Sequence, residues 1–245
     1  SCRTVTTEYA FEAGREYRLR LEYAEPTGNA RLKLVWNIGA ASGEDTTINE
    51  AVALARECDA VVVVVGLEEG EFRDRASLAL PGRQEELILR LAALGKPTAV
   101  VLVGGSAVAM SRWLDKVGAV VEVWYPSEEG GRAVADVLCG DYNPAGRLPV
   151  TFPVAEGQLP LVYNHQPTGR GDDYYDLTGQ PLFPFGYGLS YTTFEYGDFS
   201  LEPSQISKDD TALVYFTLRN AGNREGDEVV QLYIRDELAS VARPI

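Results

Sequence analysis

The segment AVVVVVG at residues 60–66 constrains the fold more than any other, because it is apolar on both of its alternating faces. Such a strand has to be covered on both sides, as strands are in a parallel sheet that lies between layers of helices. Two more apolar segments, TAVVLV at 98–103 and AVVEVW at 119–124, follow along the chain. We therefore expect three buried strands in a mostly parallel sheet.

The stretches between these strands have the period of helices. Thr47 followed by Glu50 forms a capping-box pattern, Pro81 suits the first position of a second helix, and residues 111–117 predict a short third one. A fourth helix is predicted after the last strand from its apolar positions, Ala133, Val134, Val137 and Leu138. Alternating strands and helices predict an α/β sandwich over residues 45–195, which includes a long surface loop and has its ligand edge at the carboxyl ends of the strands.

Both ends of the chain alternate polar and apolar residues with the period of β-strands. Residues 16–36 predict an N-terminal β-hairpin that turns at PTGN, and residues 211–220 and 227–236 predict two strands around AGNREG. An immunoglobulin-type sandwich needs about seven strands, so we expect the C-terminal β region to be incomplete and its exposed edges to favour a homo-oligomer. The serine at position 1 and the abrupt end after a strand-like segment indicate a fragment.

Charge and residue usage exclude several classes of function. The chain has 36 acidic against 22 basic residues, a net charge of −14, which repels nucleic acids and anionic membranes. No run of about 18 apolar residues is present to cross a bilayer. The single histidine, His165, and three scattered cysteines do not form the pattern of a metal site. We expect no metal, no cofactor, no nucleic-acid partner and no membrane partner.

The loop at residues 66–82 carries a dense set of ionisable side chains. It leaves the carboxyl end of the first predicted strand and contains Glu68, Glu69, Glu71, Arg73, Asp74 and Arg75. Clustered carboxylates raise one another's pKa and nearby arginines lower it, so a carboxyl group held protonated beside an ion pair is feasible here. The same composition also fits a solvated acidic loop without a catalytic role.

Several motifs occur in an order that resembles the second domain of family 3 glycoside hydrolases, the β-glucosidases and β-xylosidases. They are EFRDR at 71–75, SLALPGRQEELI at 77–88, the run from VGAVVEVWYP to GRLPVTFP at 117–153, LPLVYNHQPTGR at 159–170 and PLFPFGYGLSYTTFEY at 181–196. The resemblance implies retaining hydrolysis of a β-linked glycoside by two carboxylates about 5–5.5 Å apart. It also implies that residues 1–40 are the remnant of an inserted β-domain, and that residues 196–245 are part of a fibronectin type III-like domain.

The family places its acid/base glutamate in a Glu-Gly-aromatic-Asp-Arg pattern, and the resemblance assigns that role to Glu71. Phe72 and Arg73 stand where the pattern has the glycine and the aromatic residue, so Glu69, which precedes Gly70, is the rival assignment. The family's nucleophile is an aspartate on a preceding (β/α)₈ barrel, and no segment here has the size of a barrel. The resemblance therefore implies a truncated enzyme that carries the acid/base domain and is inactive on glycosides by itself.

Four other residues belong to the same expectations. Asp74 and Arg75 fit the family pattern and are expected to form an ion pair that anchors the loop. Trp124 and Tyr125, at the end of the third strand, suit stacking on a sugar ring, although aromatic residues at strand ends also serve in core or rim packing.

Two other functions remain open from the residues alone. A stand-alone hydrolase of esterase type would use Ser106, which follows the second strand, with His165 as base and Asp172 or Asp173 as third member. The sequence lacks the G-x-S-x-G pattern of a nucleophile elbow, and a loop histidine more often makes a local hydrogen bond. A non-catalytic carbohydrate-binding or assembly module is favoured by the exposed β-edges and the tyrosine-rich loop.

Overall fold

The structure is a computed structural model that describes residues 9–20, 22, 46–72, 74–164, 172–235 and 237. The chain divides into two compact units, Ser1–Glu44 and Asp45–Ile245. In the first unit the rings of Tyr9, Phe11 and Tyr17 pack edge to face, with centroids 5.0–5.7 Å apart. Its described residues form no strand, and most of the hairpin predicted at 16–36 lies outside the described residues.

Three parallel strands form the centre of the second unit. They are β1 (Val61–Gly66), β2 (Thr98–Val103) and β3 (Ala119–Glu122), in the spatial order β1-β2-β3. The register places Val63 opposite Val100 and Val101 opposite Val121. The parallel sheet is therefore confirmed, and its three strands lie where the apolar segments predicted them.

The helices alternate with the strands, as expected for an α/β domain. They are α1 (Thr46–Arg56), α2 (Gln84–Ala92) and α3 (Gly130–Cys139), with single 3₁₀ turns at Leu114–Lys116 and Glu156–Gln158. Pro81 does not begin α2, because Gly82 takes a left-handed conformation with φ of +65° and the chain enters the helix only after it. None of the described helices has the length and apolar character needed to cross a bilayer.

Helices α1 and α2 cover one face of the sheet. The core on that face joins apolar residues of both helices to those of β1 and β2: Ile48, Val52, Ala55, Val61, Val63, Val65, Ile88, Leu91, Val100 and Leu102. Trp113 and Phe152 belong to the same core and are almost fully buried. Burial of each valine, leucine, isoleucine or phenylalanine in this core stabilises the fold by about 1.5–3 kcal/mol.

The other face of β1 differs from the prediction. Val62 and Val64 lie on the face away from α1 and α2, and these residues are 53% and 64% exposed. The prediction that residues 60–66 are covered on both faces is therefore wrong for the described part of the chain. An apolar face shows that another element can pack on the strand, but it does not ensure that one does.

The C-terminal β region contains one antiparallel pair. Strands β4 (Phe194–Glu202) and β5 (Leu213–Asn220) pair with a bulge between Gly197 and Ser200. The strand predicted at 227–236 is wrong, because residues 227–235 form no strand in the structure, and β5 instead pairs with a segment that begins at the end of the predicted surface loop. The fibronectin type III-like assignment stays a prediction.

Polar side chains join the C-terminal segment to the surface loop. Arg147 Nη2 lies 2.9 Å from Glu228 Oε2, and their side chains are only 12% and 11% exposed. Asn143 donates a hydrogen bond to the carbonyl oxygen of Glu225 and accepts one from the backbone N–H of Tyr191. These contacts hold residues 225–228 against the loop that follows α3.

Candidate active site

A cleft of about 450 Å³ lies where the loops after the three parallel strands meet. It is lined by Glu69, Gly70, Glu71, Asp74, Arg75, Leu78, Ser106 and Tyr125. These residues follow β1, β2 and β3 in turn, so the cleft occupies the carboxyl edge of the sheet, where open α/β sheets bind their ligands. The ligand edge expected from the order of strands and helices is thus the edge that carries a cleft.

The loop after β1 starts from a closely packed point. A Cβ atom on Gly66 would lie 2.0 Å from the carbonyl oxygen of Val103, so only glycine fits there. The side chain of Gln84, at the start of α2, accepts a hydrogen bond from the Gly66 N–H at 2.7 Å and donates one to its carbonyl at 2.9 Å. The direction in which the loop leaves the sheet is therefore fixed.

The carboxylate of Glu69 is the centre of the hydrogen bonding in the cleft. It accepts a hydrogen bond from Ser106 Oγ, one from the Gly105 N–H at 2.6 Å and one from the Tyr125 hydroxyl at 2.5 Å. The bonds from Ser106 and Tyr125, then that from Gly105 and the charge of Arg75, hold the pKa of Glu69 below its usual value. Glu69 is ionised at neutral pH and unsuited to give up a proton.

The backbone N–H that donates to Glu69 belongs to a position that requires a glycine. A Cβ atom on Gly105 would lie 2.1 Å from Tyr125 Oη and 2.6 Å from Glu69 Oε2. Only a residue without a side chain lets the hydroxyl and the carboxylate approach the backbone at this point. Gly105, in the sequence GGS after β2, therefore serves this contact.

Arg75 binds the same serine from the other side. Its Nη2 donates a hydrogen bond to Ser106 Oγ at 2.7 Å and lies 3.9 Å from Glu69 Oε1. The ion pair expected between Asp74 and Arg75 is wrong in its partner, since the structure pairs Arg75 with Glu69.

Glu71 lines the same cleft but has a different environment. Its side chain is exposed, and it has no hydrogen-bond partner among the described residues. Phe72, which follows it, takes φ of +64° and is 93% exposed. That left-handed conformation favours glycine, and position 72 is where the pattern of the resembled family has its glycine. Gly70, after the rival Glu69, has no positive φ.

The two aromatic candidates after β3 lie in different places. Tyr125 lines the cleft, is 68% exposed as a residue, and has its hydroxyl bonded to Glu69. Trp124 packs against the core, with its ring centroid 6.2 Å from that of Phe152, and does not line the cleft. The structure therefore brings one of the two, Tyr125, to the site.

A second glutamate near the edge was missed by the sequence analysis. Glu122 is the last residue of β3 and accepts a hydrogen bond from the Trp124 N–H at 3.0 Å. Burial, supplemented by the negative charge of Glu69, raises the pKa of Glu122 to about 7. The signal was present in AVVEVW, where a single acid interrupts an apolar strand.

The residues of the esterase hypothesis are not brought together in the described part of the chain. The Ser106 hydroxyl donates to Glu69 and accepts from Arg75, so its proton is directed to a carboxylate. Asp173 accepts hydrogen bonds from Thr178 Oγ1 and the Gly179 N–H, and His165 lies outside the described residues. Within the described ranges no group of three or more histidine, cysteine or acidic side chains is suited to a metal ion.

Comparison with known protein families identifies the domain. The sequence model of the glycosyl hydrolase family 3 C-terminal domain matches residues 6–191, which is most of the chain. The chain belongs to glycoside hydrolase family 3. The resemblance carried by the motifs from EFRDR to FGYGLSYTTF is thereby confirmed.

Family 3 relatives share both sequence and fold with this chain. The periplasmic β-glucosidase of Salmonella typhimurium is 41% identical over 211 residues, which cover 81% of this chain and 28% of that enzyme. A β-xylosidase of Formosa agariphila is 43% identical over 200 residues, or 79% of this chain and 28% of the relative. The chain thus spans less than a third of the length of these family 3 enzymes.

Solved family 3 structures agree with the fold. A β-glucosidase from Erythrobacter marinus superimposes with a TM-score of 0.75 and 44% identity, covering 82% of this chain and 28% of that protein. The β-glucosidase from Listeria innocua, solved in complex with glucose, gives a TM-score of 0.77 at 33% identity and covers 83% of this chain and 30% of its own.

Proposed function

We propose that this chain is the acid/base domain of a retaining β-glycosidase, with Glu71 as the acid/base residue. The observation that carries the proposal is the contrast at the cleft: Glu71 is exposed on its lining and without a hydrogen-bond partner among the described residues, whereas Glu69 is fixed as an anion. A proton donor has to reach the substrate freely, which Glu71 can do and Glu69 cannot. The left-handed backbone at Phe72 supports the same register.

The reaction assigned to Glu71 has two steps. In the first, its carboxyl group gives a proton to the glycosidic oxygen while a carboxylate nucleophile attacks the anomeric carbon and the aglycone leaves. In the second, the Glu71 carboxylate removes a proton from water, which attacks the glycosyl–enzyme bond and releases the sugar and the nucleophile. The nucleophile is supplied from outside these 245 residues, as the family resemblance implies.

The substrate class follows from the relatives and from one aromatic side chain. The proteins most similar to this chain include β-glucosidases and β-xylosidases, so we assign a β-linked glucoside or xyloside. The exposed ring of Tyr125, with its hydroxyl held by Glu69, is placed to stack on a sugar ring at the cleft.

The test compares the chain alone with the complete enzyme, meaning this chain joined to the part that bears the nucleophile. The substrates are an aryl β-glucoside, an aryl β-xyloside and a short-chain aryl ester. The chain alone should be silent on all three. In the complete enzyme, Glu71→Gln should lower kcat/KM for a glycoside with a poor leaving group by about 10²–10⁴-fold.

A matched control uses Glu57→Gln, an exposed glutamate just after α1, which should leave activity unchanged. Full activity of Glu71→Gln on the poor leaving group would overturn the assignment. Ester turnover by the chain alone that disappears in Ser106→Ala would favour the esterase hypothesis instead.

A further inference from the structure

Two anchors hold the segment that contains Glu71, and they meet on one atom. Glu69, two residues before Glu71, accepts a hydrogen bond from Ser106 Oγ, and Arg75, four residues after it, donates one to the same oxygen. The described residues between these anchors include the two exposed side chains of Glu71 and Phe72. The segment is thus held on both sides of Glu71, which lines the cleft.

The Glu69 anchor also joins all three strand ends. Glu69 follows β1, Gly105 and Ser106 follow β2, and Tyr125 follows β3, and the one carboxylate accepts a bond from each of the last two loops. Its side chain is 15% exposed, while its partners Gly105 and Tyr125 lie at the surface of the cleft. Charge-assisted bonds of this kind are about twice as strong as neutral ones.

We propose that Glu69 is a positioning residue of the acid/base: its fixed negative charge ties the Glu71 loop to Ser106 and Tyr125 and so places the Glu71 carboxyl group. This inference rests on the proposed function of Glu71 and gives the rival glutamate a separate role. Glu69 does not exchange protons with substrate; it determines where the proton donor stands. A loop misplaced by about 1 Å can cost about 10²-fold in rate.

The variant that tests this role is Glu69→Gln in the complete enzyme. The amide is of similar size, but its NH₂ group cannot accept, so at least one donor loses its partner. We expect kcat/KM to fall by about 10–100-fold for a glycoside with a poor leaving group, which needs the placed proton. For a dinitrophenyl glycoside, whose leaving group needs no proton, the fall should be less than about threefold.

Azide separates positioning from proton transfer. Azide attacks the glycosyl–enzyme without help from a base, so it restores turnover of the dinitrophenyl glycoside when the acid/base itself is lost and yields the β-glycosyl azide. We expect rescue in Glu71→Gln and none in Glu69→Gln. The pH profile of Glu69→Gln should also keep its alkaline limb, because Glu71 still supplies the proton.

Ser106→Ala provides an independent variant, because it removes the shared atom of both anchors. It should reproduce the leaving-group dependence of Glu69→Gln, and the double variant should cost little more than either single one. Gly131→Ala on α3 is a matched control for backbone effects, since a Cβ there meets nothing within 4 Å.

The outcomes distinguish the two proposals. Azide rescue of Glu69→Gln, or equal loss on both leaving groups, overturns the positioning role. Failure of azide to rescue Glu71→Gln overturns the proposed function, whatever Glu69→Gln does. Measured thermal unfolding of each variant shows whether a loss of activity comes from unfolding, and rescue by Glu69→Asp at partial activity would support the positioning role.

Discussion

The loop after β1 and the end of β3 each present a carboxylate near the same edge of the sheet, and the two behave in opposite ways. Glu69 is surrounded by donors, and the hydrogen bonds from Ser106 and Tyr125 lower its pKa. Glu122 accepts a single backbone bond, from Trp124, and burial raises its pKa to about 7. Several donors at the surface therefore favour the anion at Glu69, whereas burial with a single donor favours the neutral acid at Glu122.

Gly105→Ala should produce the largest change, because it disturbs the hydrogen bonds that Glu69 accepts from Gly105 and Tyr125. The new Cβ would lie 2.1 Å from Tyr125 Oη, and the flexible end of the tyrosine has to move away. We expect the free energy of unfolding to fall by about 1–3 kcal/mol through lost hydrogen bonds and crowding. Denaturant unfolding measures this change, and an unaltered midpoint would show that the bridge contributes no stability.

Glu122→Gln should instead raise the free energy of unfolding, and it should do so only within a defined range of pH. The folded pKa of about 7 lies above the ordinary value of 4.5, so ionisation of Glu122 weakens the fold progressively between pH 4.5 and 7 and fully above pH 7. The neutral amide removes that cost. We expect the variant to be more stable by roughly 1–2 kcal/mol at pH 8 and nearly unchanged at pH 4.

Measuring unfolding of wild type and Glu122→Gln from pH 4 to pH 8 checks this expectation. The difference in free energy of unfolding between the two proteins should increase as the pH rises. A constant difference across the range would mean that Glu122 ionises normally and that the amide acts by packing alone. The exposed Glu57→Gln serves as the neutral reference, since it removes a solvated charge.

Glu69→Gln should lower the free energy of unfolding at neutral pH, and by less than Glu122→Gln raises it. Because the folded pKa of Glu69 is depressed, its stabilising contribution is present above pH 4.5 and is lost as the pH falls through the folded pKa. The variant should therefore lose stability at pH 7 and converge with wild type in strong acid. Acid unfolding followed by circular dichroism measures this, and parallel curves would contradict it.

Tyrosine ionisation gives the smallest and most local signal. The hydrogen bond to Glu69 raises the pKa of Tyr125, because the anion opposes loss of the phenolic proton. In Glu69→Gln the Tyr125 hydroxyl should ionise at lower pH. The absorbance titration of each protein, minus that of its Tyr125→Phe counterpart, isolates this one group, and coincident difference curves would exclude the bond.

The sheet was predictable because its signal is local. A run of apolar β-branched residues fixes a strand by itself, and β2 begins and ends where the segment TAVVLV does. The cover on Val62 and Val64 was not predictable, since it depends on what other chain lies nearby. The strand predicted at 227–236 was wrong for the same reason: alternation sets the two faces of a strand, but a strand forms only where a neighbouring strand pairs with it.

The candidate site was predictable as a loop but not as a set of bonds. The acids after β1 were visible in the sequence, and Glu71 was assigned by resemblance. The role of Glu69 depends on its distance from Gly105 and Tyr125, which lie 36 and 56 positions away. No local pattern encodes that distance, because it arises only when three strands end at one edge.

The shared oxygen of Ser106 has an evolutionary consequence. Glu69 and Arg75 both depend on it, so a change at any one of the three positions leaves a partner without its bond. The three residues should therefore change together: related proteins should keep all of them or replace all of them. Under the role proposed for Glu69, a change at one position alone should place Glu71 less accurately.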